Sequence, residues 1–566
     1  ERELRDVYLR PFEAAVRDAA VGSVMNAYHE LDGVPCGANR WLLTDVLRGE
    51  WGFAGSLVAD YFTVRQLAEY HHIVATVEAA AALALRAGID VELPGTDCYG
   101  DPLRTAIDHG DVEMSVVDAA VARVLTTKFQ LGLFERPFVD VERVQVHTRT
   151  AEQGELARAV AADSLVLLKN DGTLPLPAAC RIAVIGPNAA SGRNLLGDYA
   201  YIAHVESLLE VLRSGRNVFA MPVDEGIHVD GVGDVDHITT ILDALVAELP
   251  RATFLHAEGC AVNDDDRSGF EAAVDAAIRS DVAVLVLGER SGLTDDCTTG
   301  ESRDVASLDL PGVQEELVLA VAATGTPVVL VLVAGRPIGS EAVHQAASAV
   351  LVAWLPGECG GRAVAEALAG ARSPGGKLPI TYPRSSGQIP TFYGHKASGG
   401  RSHWKVEYVD LSNEPMYPFG HGLTYSEFSV DIDSFGSRSV TVDDVFDVVD
   451  VVAVVTNVGA APADEVVQLY SRDPIASITR PVLELQGFAR VSLAPGGSAR
   501  VTFHLHVASL GFTGPDMTYV VEPGEIELLV GTSSADVQPA GRVAVTGQEP
   551  VATRRISTTP VTIEYH

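Results

Sequence analysis

Apolar positions in the first 140 residues follow two alternating patterns. In residues 3–20 they recur every three or four positions, which predicts a helix with one buried face. Further helices are predicted at 39–48, 77–87 and 112–129, and short strands at 22–28, 56–59 and 88–94. Alternating strands and helices indicate an α/β domain. Because a complete (β/α)8 barrel needs roughly 250 residues and eight such pairs, this region is either part of a barrel or a small α/β domain.

The central part of the chain contains near-continuous runs of Val, Ile and Leu separated by helical stretches. Strands are predicted at 182–186, 252–256, 282–287, 328–333 and 349–354, and helices at 271–278 and 313–323. Such strands are typical of a parallel sheet with both faces covered. We therefore expect a second α/β domain at 165–385, after a linker at 141–164.

A strict alternation of apolar and polar residues replaces this pattern after a connecting segment at 386–440. Strands are predicted at 448–458, 465–471, 483–493, 499–505 and 525–531, with Pro/Gly turns between them. This pattern indicates an antiparallel β-sandwich at 441–540, followed by a C-terminal tail at 541–566.

Composition and charge exclude several classes of partner. The 41 Lys and Arg residues against 76 Asp and Glu residues give a formal charge of −35, which repels phosphate backbones and anionic membranes. No apolar run approaches the roughly 18 residues of a membrane span. The six scattered cysteines predict free thiols, with at most one chance pair. Neither a phosphate-binding loop nor a zinc-binding H-E-x-x-H occurs, so no cofactor and no metal are predicted.

The stretch 49–62, GEWGFAGSLVADYF, contains the first candidate for chemistry, Asp60. It follows a short buried strand, and the carboxyl ends of parallel strands face the ligand crevice in α/β proteins. An Asp just after a strand is also a common helix N-cap. The position alone leaves both interpretations open.

A long polar stretch between a predicted strand and a predicted helix contains five further candidates. Residues 288–314 form a loop of the kind that often carries catalytic groups. Its acids are Glu289, Asp295, Asp296, Glu301 and Asp304, each of which is ordinarily a solvated loop residue.

Aromatic and amide side chains elsewhere are of the types that bind sugars. Aromatic faces stack on pyranose C–H surfaces, and amides bond to hydroxyls. The same residues would equally suit a core or its rim. The candidates are Asn26, Tyr28, Tyr61, Trp354, His403 and Trp404.

Several ordered motifs resemble glycoside hydrolase family 3. They include SVMNAY, GEWGFAGSLVADY, AGIDVELP, LVLLKNDGTLPLP, SPGGKLPITYP, YPFGHGLTYSEF, VVQLYSRDP and GEIELLVGTSS. The resemblance implies the C-terminal portion of a (β/α)8 TIM-like catalytic barrel at 1–140. It also implies an α/β sandwich domain and a C-terminal fibronectin type III-like β-sandwich.

The resemblance also implies an activity and its residues. Asp60 matches the family's nucleophile and Glu301 its general acid/base, while Tyr28, Met25 and Tyr61 match positions that line the substrate pocket. The expected enzyme is an exo-acting retaining β-glycosidase that removes terminal β-D-xylosyl or β-D-glucosyl residues by a two-carboxylate double displacement. Its partner would be a β-linked oligosaccharide or an aryl or alkyl β-glycoside, and a homodimer is left open.

The chain departs from the family pattern in two ways. Tyr61, Ala59 and Leu93 stand where the family more often has Trp, Ser and Met. The family's Lys-His pair, and the Arg and Asp that hold the sugar hydroxyls, are expected upstream of residue 1. The alternative expectation is therefore a catalytically impaired fragment or a carbohydrate-binding subunit that needs the N-terminal half of the barrel.

Overall fold

The computed structural model describes residues 1–214, 235–398, 407–433, 437–441 and 444–566. The chain divides into two compact units, and each is described separately below. The first unit comprises Glu1–His147 with Phe512–Met517, and the second comprises Thr148–Gly511 with Thr518–His566.

The first unit combines short strands with longer helices. Its strands are β1 (Ser23–Met25), β2 (Glu30–Leu31), β3 (Val34–Pro35), β4 (Ser56–Val58) and an unlabelled strand, Phe512–Thr513. Its α-helices are α1 (Arg10–Arg17), α2 (Thr63–Glu69), α3 (Val77–Ala87), α4 (Asp101–Asp108), α5 (Met114–Gln130) and α6 (Val144–His147). Two π-helical segments, Leu4–Tyr8 and Trp41–Glu50, and two 3₁₀ turns, Cys36–Ala38 and Val141–Arg143, complete it.

The bounds of helix α3 are set by residues that can be recognised in the sequence. Its Ala-rich run begins after Thr76, whose side chain accepts a hydrogen bond from the N–H of Ala79, and ends at Gly88, which has a φ of 123°. Ala has the highest helix propensity, and a glycine with positive φ is a common helix stop. The prediction of a helix at 77–87 is confirmed at both ends. The helix predicted at 3–20 is instead broken before α1, where Pro11 occupies the first turn and cannot donate a backbone hydrogen bond.

Strand β4 runs through the core of this unit. It pairs in parallel with β1, with Ser23 opposite Ser56 and Met25 opposite Val58. The segment 89–93 lies along its other side, where the N–H of Ala59 donates to the carbonyl of Val91 at 2.7 Å. This segment, predicted as a strand, makes a single bridge with β4, so it is an extended neighbour and not a regular strand.

A buried carboxylate fixes β4 in place. Asp90, whose side chain is fully buried, forms ion pairs with Arg48 at 2.7 Å and Arg123 at 2.7 Å. Its Oδ2 also accepts a hydrogen bond from the N–H of Leu57 at 2.9 Å, in the middle of β4. Burying a carboxylate costs several kcal/mol unless it is paired and hydrogen-bonded, and here both conditions are met.

Replacing Asp90 should therefore unfold this unit more easily. We expect Asp90→Ala to lower the free energy of unfolding by about 3–5 kcal/mol, because it leaves two partly buried guanidinium groups and the buried N–H of Leu57 without their partner. Thermal and urea unfolding of the purified chain measure the change. Asp101→Ala, at an exposed ion pair with Arg104 on α4, is the matched control and should leave the transition unchanged. A loss of less than about 1 kcal/mol for Asp90→Ala would contradict this account.

The second unit begins with an α/β domain. Its strands are β5 (Val166–Asn170), β6 (Arg181–Ile185), β7 (Thr253–Ala257), β8 (Val282–Gly288), β9 (Val328–Val333) and β10 (Ala349–Val352). Its helices are α7 (Ala151–Ser164), α8 (Tyr201–Ser214), α9 (Ile241–Glu248), α10 (Phe270–Ile278), α11 (Gln314–Ala322), α12 (Glu341–Ala346) and α13 (Gly360–Ala369).

These strands form one sheet in the order β5-β10-β9-β8-β6-β7. Strands β8 and β9 are buried along their whole length, and separate apolar cores lie on the two faces of the sheet. The prediction of a sheet covered on both faces is confirmed. The prediction of a parallel sheet is confirmed for the five predicted strands, β6 to β10. Strand β5, which was not predicted, runs antiparallel to β10. Strand β5 lies at the edge of the sheet, where an otherwise parallel sheet often carries one antiparallel strand.

The C-terminal strands of the second unit form a β-sandwich. One sheet contains Phe428–Asp433, Val448–Asn457, Ser498–His506 and Val561–Tyr565, and the other contains Ser437–Thr441, Ala463–Arg472, Glu484–Leu493, Gly524–Gly531 and Val537–Thr546. Two short strands, Tyr519–Val521 and Val551–Ala552, pair beside them. The expected sandwich is confirmed, with alternate residues buried as in Val448–Asn457. Val561–Tyr565 pairs with Ser498–His506, so this part of the predicted tail belongs to a sheet.

The structure also bears on disulfide pairing and on membrane-spanning helices. All six cysteines are free, so the chance pair left open above does not form. Among the described residues, no helix combines the length and apolar character needed to cross a bilayer.

Candidate active site

Asp60 lies two residues beyond the carboxyl end of β4. Ala59 is fully buried, whereas Asp60 is partly exposed, so the chain emerges from the core at this carboxylate. Its Oδ1 accepts a hydrogen bond of 2.7 Å from the N–H of Tyr61. The strand that anchors Asp60 is held on one side by β1 and on the other by the segment 89–93.

The helix-cap interpretation of Asp60 is wrong. Helix α2 begins at Thr63, its N-cap residue is Phe62 in the left-handed conformation, and no side chain caps it. The carboxylate therefore does not serve the helix that follows, and it remains available at the strand end.

The three predicted pocket residues surround this strand end. Met25 is the last residue of β1, directly opposite Val58, and its side chain is 54% exposed. The hydroxyl of Tyr28 donates to the carbonyl of Tyr61 at 3.0 Å, which ties the Tyr28 ring to the backbone of the residue after Asp60. Exposed large side chains at the mouth of a core strand are characteristic of a binding surface. The structure thus brings Asp60, Met25, Tyr28 and Tyr61 together.

Asn26 fixes the backbone at the carboxyl end of β4. It is buried, and its Oδ1 accepts a hydrogen bond of 3.3 Å from the backbone N–H of Asp60. Its side-chain amide donates to the carbonyl of Ala27 at 2.8 Å. Proposed from sequence as a sugar-binding amide, Asn26 instead satisfies backbone groups next to the candidate nucleophile.

In the second unit, residues 288–314 form a closed loop, here called the acidic loop. The side chain of Gln314 accepts from the N–H of Gly288 at 2.9 Å and donates to its carbonyl at 2.8 Å. This buried double hydrogen bond joins the end of β8 to the start of α11. The loop therefore projects from a fixed base at the carboxyl edge of the sheet.

Glu301 is an exposed residue at the turn of the acidic loop. Its carboxylate accepts a hydrogen bond of 2.5 Å from the hydroxyl of Tyr199, and its N–H donates to Asp198 at 2.9 Å. The residues on either side have positive φ, 128° at Gly300 and 60° at Ser302. A Cβ at position 300 would lie 2.3 Å from the carbonyl oxygen of Gly292, so this turn requires glycine there.

The other four acids of the acidic loop have different surroundings. Glu289 is fully buried and pairs with Arg336 at 2.8 Å; burial raises the pKa of the Glu289 carboxyl, and Arg336 opposes that shift. Asp295 and Asp296 line a cavity of about 630 Å³ at the carboxyl ends of β6, β7 and β8. Asp304 is exposed. Asp295 and Asp296 are exposed as well, but their carboxylates pair with Arg303 and Arg290, whereas the Glu301 carboxylate accepts its hydrogen bond from a neutral hydroxyl.

Of the remaining sugar-binding candidates, the structure describes Trp354. Trp354 packs against an apolar core of the α/β domain, and its indole N–H donates to the carbonyl of Ser164 at 3.1 Å. Trp354 is partly exposed, and these two contacts give it a structural role. His403 and Trp404 lie outside the described residues.

Three residues of the first unit, Glu92, Asp97 and Cys98, carry atoms of the kind that bind metals, but their contacts give them other roles. The ligand atoms of Glu92, Asp97 and Cys98 lie within 4.8 Å of one another. The Glu92 carboxylate already accepts hydrogen bonds from three successive backbone N–H groups, at residues 97 to 99. Burial raises the pKa of the Cys98 thiol, which opposes the thiolate that a metal would need. These residues fit a loop clamp better than a metal site.

Comparisons with known proteins agree with the motifs along the whole chain. Residues 1–127 match the glycosyl hydrolase family 3 N-terminal domain, residues 165–425 the C-terminal domain of that family, and residues 465–534 a fibronectin type III-like domain. A β-xylosidase from Formosa agariphila is 36% identical over 543 residues, which cover 94% of this chain and 70% of that protein. The chain belongs to glycoside hydrolase family 3.

Other family 3 members are similar at the level of sequence and structure. A periplasmic β-glucosidase from Salmonella typhimurium is 35% identical over 94% of this chain and 68% of its own length. The crystal structure of a β-glucosidase from Listeria innocua in complex with glucose superposes with a TM-score of 0.84 at 32% identity, covering 96% of this chain and 70% of that one. The fold class expected from the motifs is confirmed. The chain contains residues of an α/β barrel domain, an α/β sandwich domain and a fibronectin type III-like β-sandwich. This family 3 chain is a glycoside hydrolase.

Proposed function

We propose that this chain is an exo-acting retaining β-glycosidase in which Asp60 is the nucleophile and Glu301 the general acid/base. The observation that carries the proposal is the position of Asp60, a carboxylate at the carboxyl end of a core strand. It does not cap the following helix, and it is surrounded by exposed Met25, Tyr28 and Tyr61. A nucleophile must be fixed in direction and accessible to the sugar, and both conditions are met here.

The reaction proceeds in two displacements. A carboxylate oxygen of Asp60 attacks the anomeric carbon while the bond from that carbon to the leaving oxygen breaks, and Glu301 gives its proton to that oxygen. In the second step a water attacks the anomeric carbon, Glu301 takes the proton from the water, and the bond to Asp60 breaks. Two inversions leave the β configuration unchanged.

The pocket residues act on the sugar and not on the reacting bond. Tyr28 and Tyr61, joined by the hydrogen bond described above, present aromatic faces that suit the C–H surface of a pyranose. The proposed substrates are β-linked oligosaccharides or aryl and alkyl β-glycosides with a terminal β-D-xylosyl or β-D-glucosyl residue. The named activities of the Formosa agariphila and Salmonella typhimurium relatives support these two sugars. The segments DYF at 60–62 and TTGE at 298–301 resemble those of the family's β-xylosidases, which favours xylose.

A panel of p-nitrophenyl glycosides tests this proposal. We expect the purified 59.8 kDa chain to hydrolyse the β-D-xyloside and the β-D-glucoside, the xyloside faster, and to leave the α-anomers intact. Proton NMR of the first product should show the β-anomer, since double displacement retains configuration. Mass spectrometry of the same sample establishes that the intact chain is the active species.

Two outcomes of this panel would overturn the proposal. An initial α-anomer would indicate single displacement and exclude a nucleophilic Asp60. An intact chain that binds oligosaccharides without hydrolysing any glycoside would support the alternative of an impaired fragment or carbohydrate-binding subunit.

A further inference from the structure

Two consecutive residues of the second unit hold Glu301 at both its backbone and its side chain. The carboxylate of Asp198 accepts a hydrogen bond of 2.9 Å from the N–H of Glu301. The hydroxyl of Tyr199 donates to Oε2 of the Glu301 carboxylate at 2.5 Å. Neither contact was predictable from spacing, because the partners lie about 100 residues apart in sequence.

The segment that carries Asp198 and Tyr199 is itself fixed to the acidic loop. Arg193 forms an ion pair with Glu206 at 2.7 Å, and Glu206 also pairs with Arg290, at the start of the loop, at 3.0 Å. The ring of Tyr199 contacts the ring of His204 edge to face, with centroids 5.5 Å apart. The segment and the loop are therefore connected at several points, and the phenol is aimed at the carboxylate from a supported position.

Glu301 needs such a partner because its own backbone does not restrict it. It is exposed and lies between two residues with positive φ, so neither packing nor a helix or strand sets its side-chain direction. Rotamer freedom at an exposed Glu must be lost before the group can transfer a proton along a defined line. A short hydrogen bond from a hydroxyl to a carboxylate is among the stronger kinds and can supply that restriction.

We propose that Tyr199 is a positioning residue for the acid/base function of Glu301, an inference that rests on the proposed function above. Its hydroxyl occupies Oε2 in both half-reactions, which leaves Oε1 to give the proton to the leaving oxygen and later to take it from water. Tyr199 makes no bond to the sugar in this account. It stabilises the ionised carboxylate that the second half-reaction requires.

The test is Tyr199→Phe, which removes the hydroxyl and keeps the ring contact with His204. We expect kcat/KM for a β-linked disaccharide or an alkyl β-glycoside to fall about 10–100-fold, and that for a strongly activated aryl glycoside to change less than about 3-fold.

Tyr201→Phe is the matched control. Tyr201 lies two residues further on, is 72% exposed and begins α8. Its variant should match the wild type in rate, pH profile and thermal midpoint. A purely structural role for Tyr199 would instead lower the thermal midpoint and reduce all substrates equally, and this result would overturn the proposal.

Two further measurements separate this inference from the proposed function. In a Glu301→Ala background, Tyr199→Phe should have no additional effect, since its partner carboxylate is gone. If Glu301→Ala shows leaving-group dependence but Tyr199→Phe equals the wild type, the role of Tyr199 is refuted and the function stands. If Glu301→Ala reduces every substrate equally, the acid/base assignment fails first.

A crystal structure gives a result that does not depend on activity. The wild type should show the Tyr199 hydroxyl within hydrogen-bond distance of the Glu301 carboxylate, and Tyr199→Phe should show that carboxylate in more than one rotamer. A wild-type distance beyond about 3.5 Å between these oxygens would overturn the proposal.

Discussion

Asp60→Ala should reduce kcat on every β-glycoside by at least about 10³-fold, whatever the leaving group, because no other group replaces the attacking oxygen. A loss of this size corresponds to about 4 kcal/mol of the activation barrier. The effect is expected to be uniform across substrates, since nucleophilic attack precedes or accompanies departure of every aglycone.

The fold should survive this change. Oδ1 of Asp60 accepts a hydrogen bond from the N–H of Tyr61, and an asparagine can accept the same bond. Asp60→Asn should therefore unfold at the wild-type temperature while remaining inactive. Asp108→Asn, at the exposed end of α4, is the matched control and should remain fully active.

A covalent trap identifies the nucleophile independently of rate. A 2-deoxy-2-fluoro glycoside with an activated leaving group slows the second displacement, so the glycosyl-enzyme accumulates. Peptide mapping of the wild type should place the added mass on the peptide that contains Asp60. A label on another carboxylate, or wild-type turnover by Asp60→Ala, would refute the assignment.

Local sequence determined the regular elements more fully than their arrangement. Helix α3 was predicted to the residue because an alanine run, a capping Thr76 and a terminating Gly88 all act within a few positions. Strand β9 was equally clear as a wholly buried run. The direction of β5 and the pairing of Val561–Tyr565 depend on partners far away in the chain, and no local pattern encodes them.

The candidate site was also predictable from local sequence only in part. The strand-end position of Asp60 followed from the apolar pattern, but its separation from the helix cap depends on the left-handed conformation of Phe62. Five acids in one loop were indistinguishable by composition, and only burial separates Glu289 from Glu301. Choosing Asp60 and Glu301 from sequence relied on the family motifs, whereas the contacts of Asn26 and Tyr199 are visible only in three dimensions.

Glu301→Ala should give a loss that depends on the leaving group. A poor leaving group, such as a sugar or an alkyl alcohol, needs a proton as its bond breaks, and removal of a general acid costs about 10²–10⁴-fold. A strongly activated phenol leaves without protonation, so the first displacement should slow less than about 10-fold. A plot of log kcat/KM against the acidity of the leaving phenol should therefore be much steeper for the variant than for the wild type.

The second displacement gives an independent expectation for the same variant. Without a general base, water attacks the glycosyl-enzyme slowly, so activated substrates should show a burst of phenol release and a lowered KM. Azide, a nucleophile that needs no deprotonation, should restore turnover and yield the β-glycosyl azide. Asp304→Ala, an exposed acid of the same loop, is the matched control and should behave as the wild type. If Asp304→Ala showed the steeper plot and the azide rescue while Glu301→Ala did not, the acid/base role would belong to Asp304.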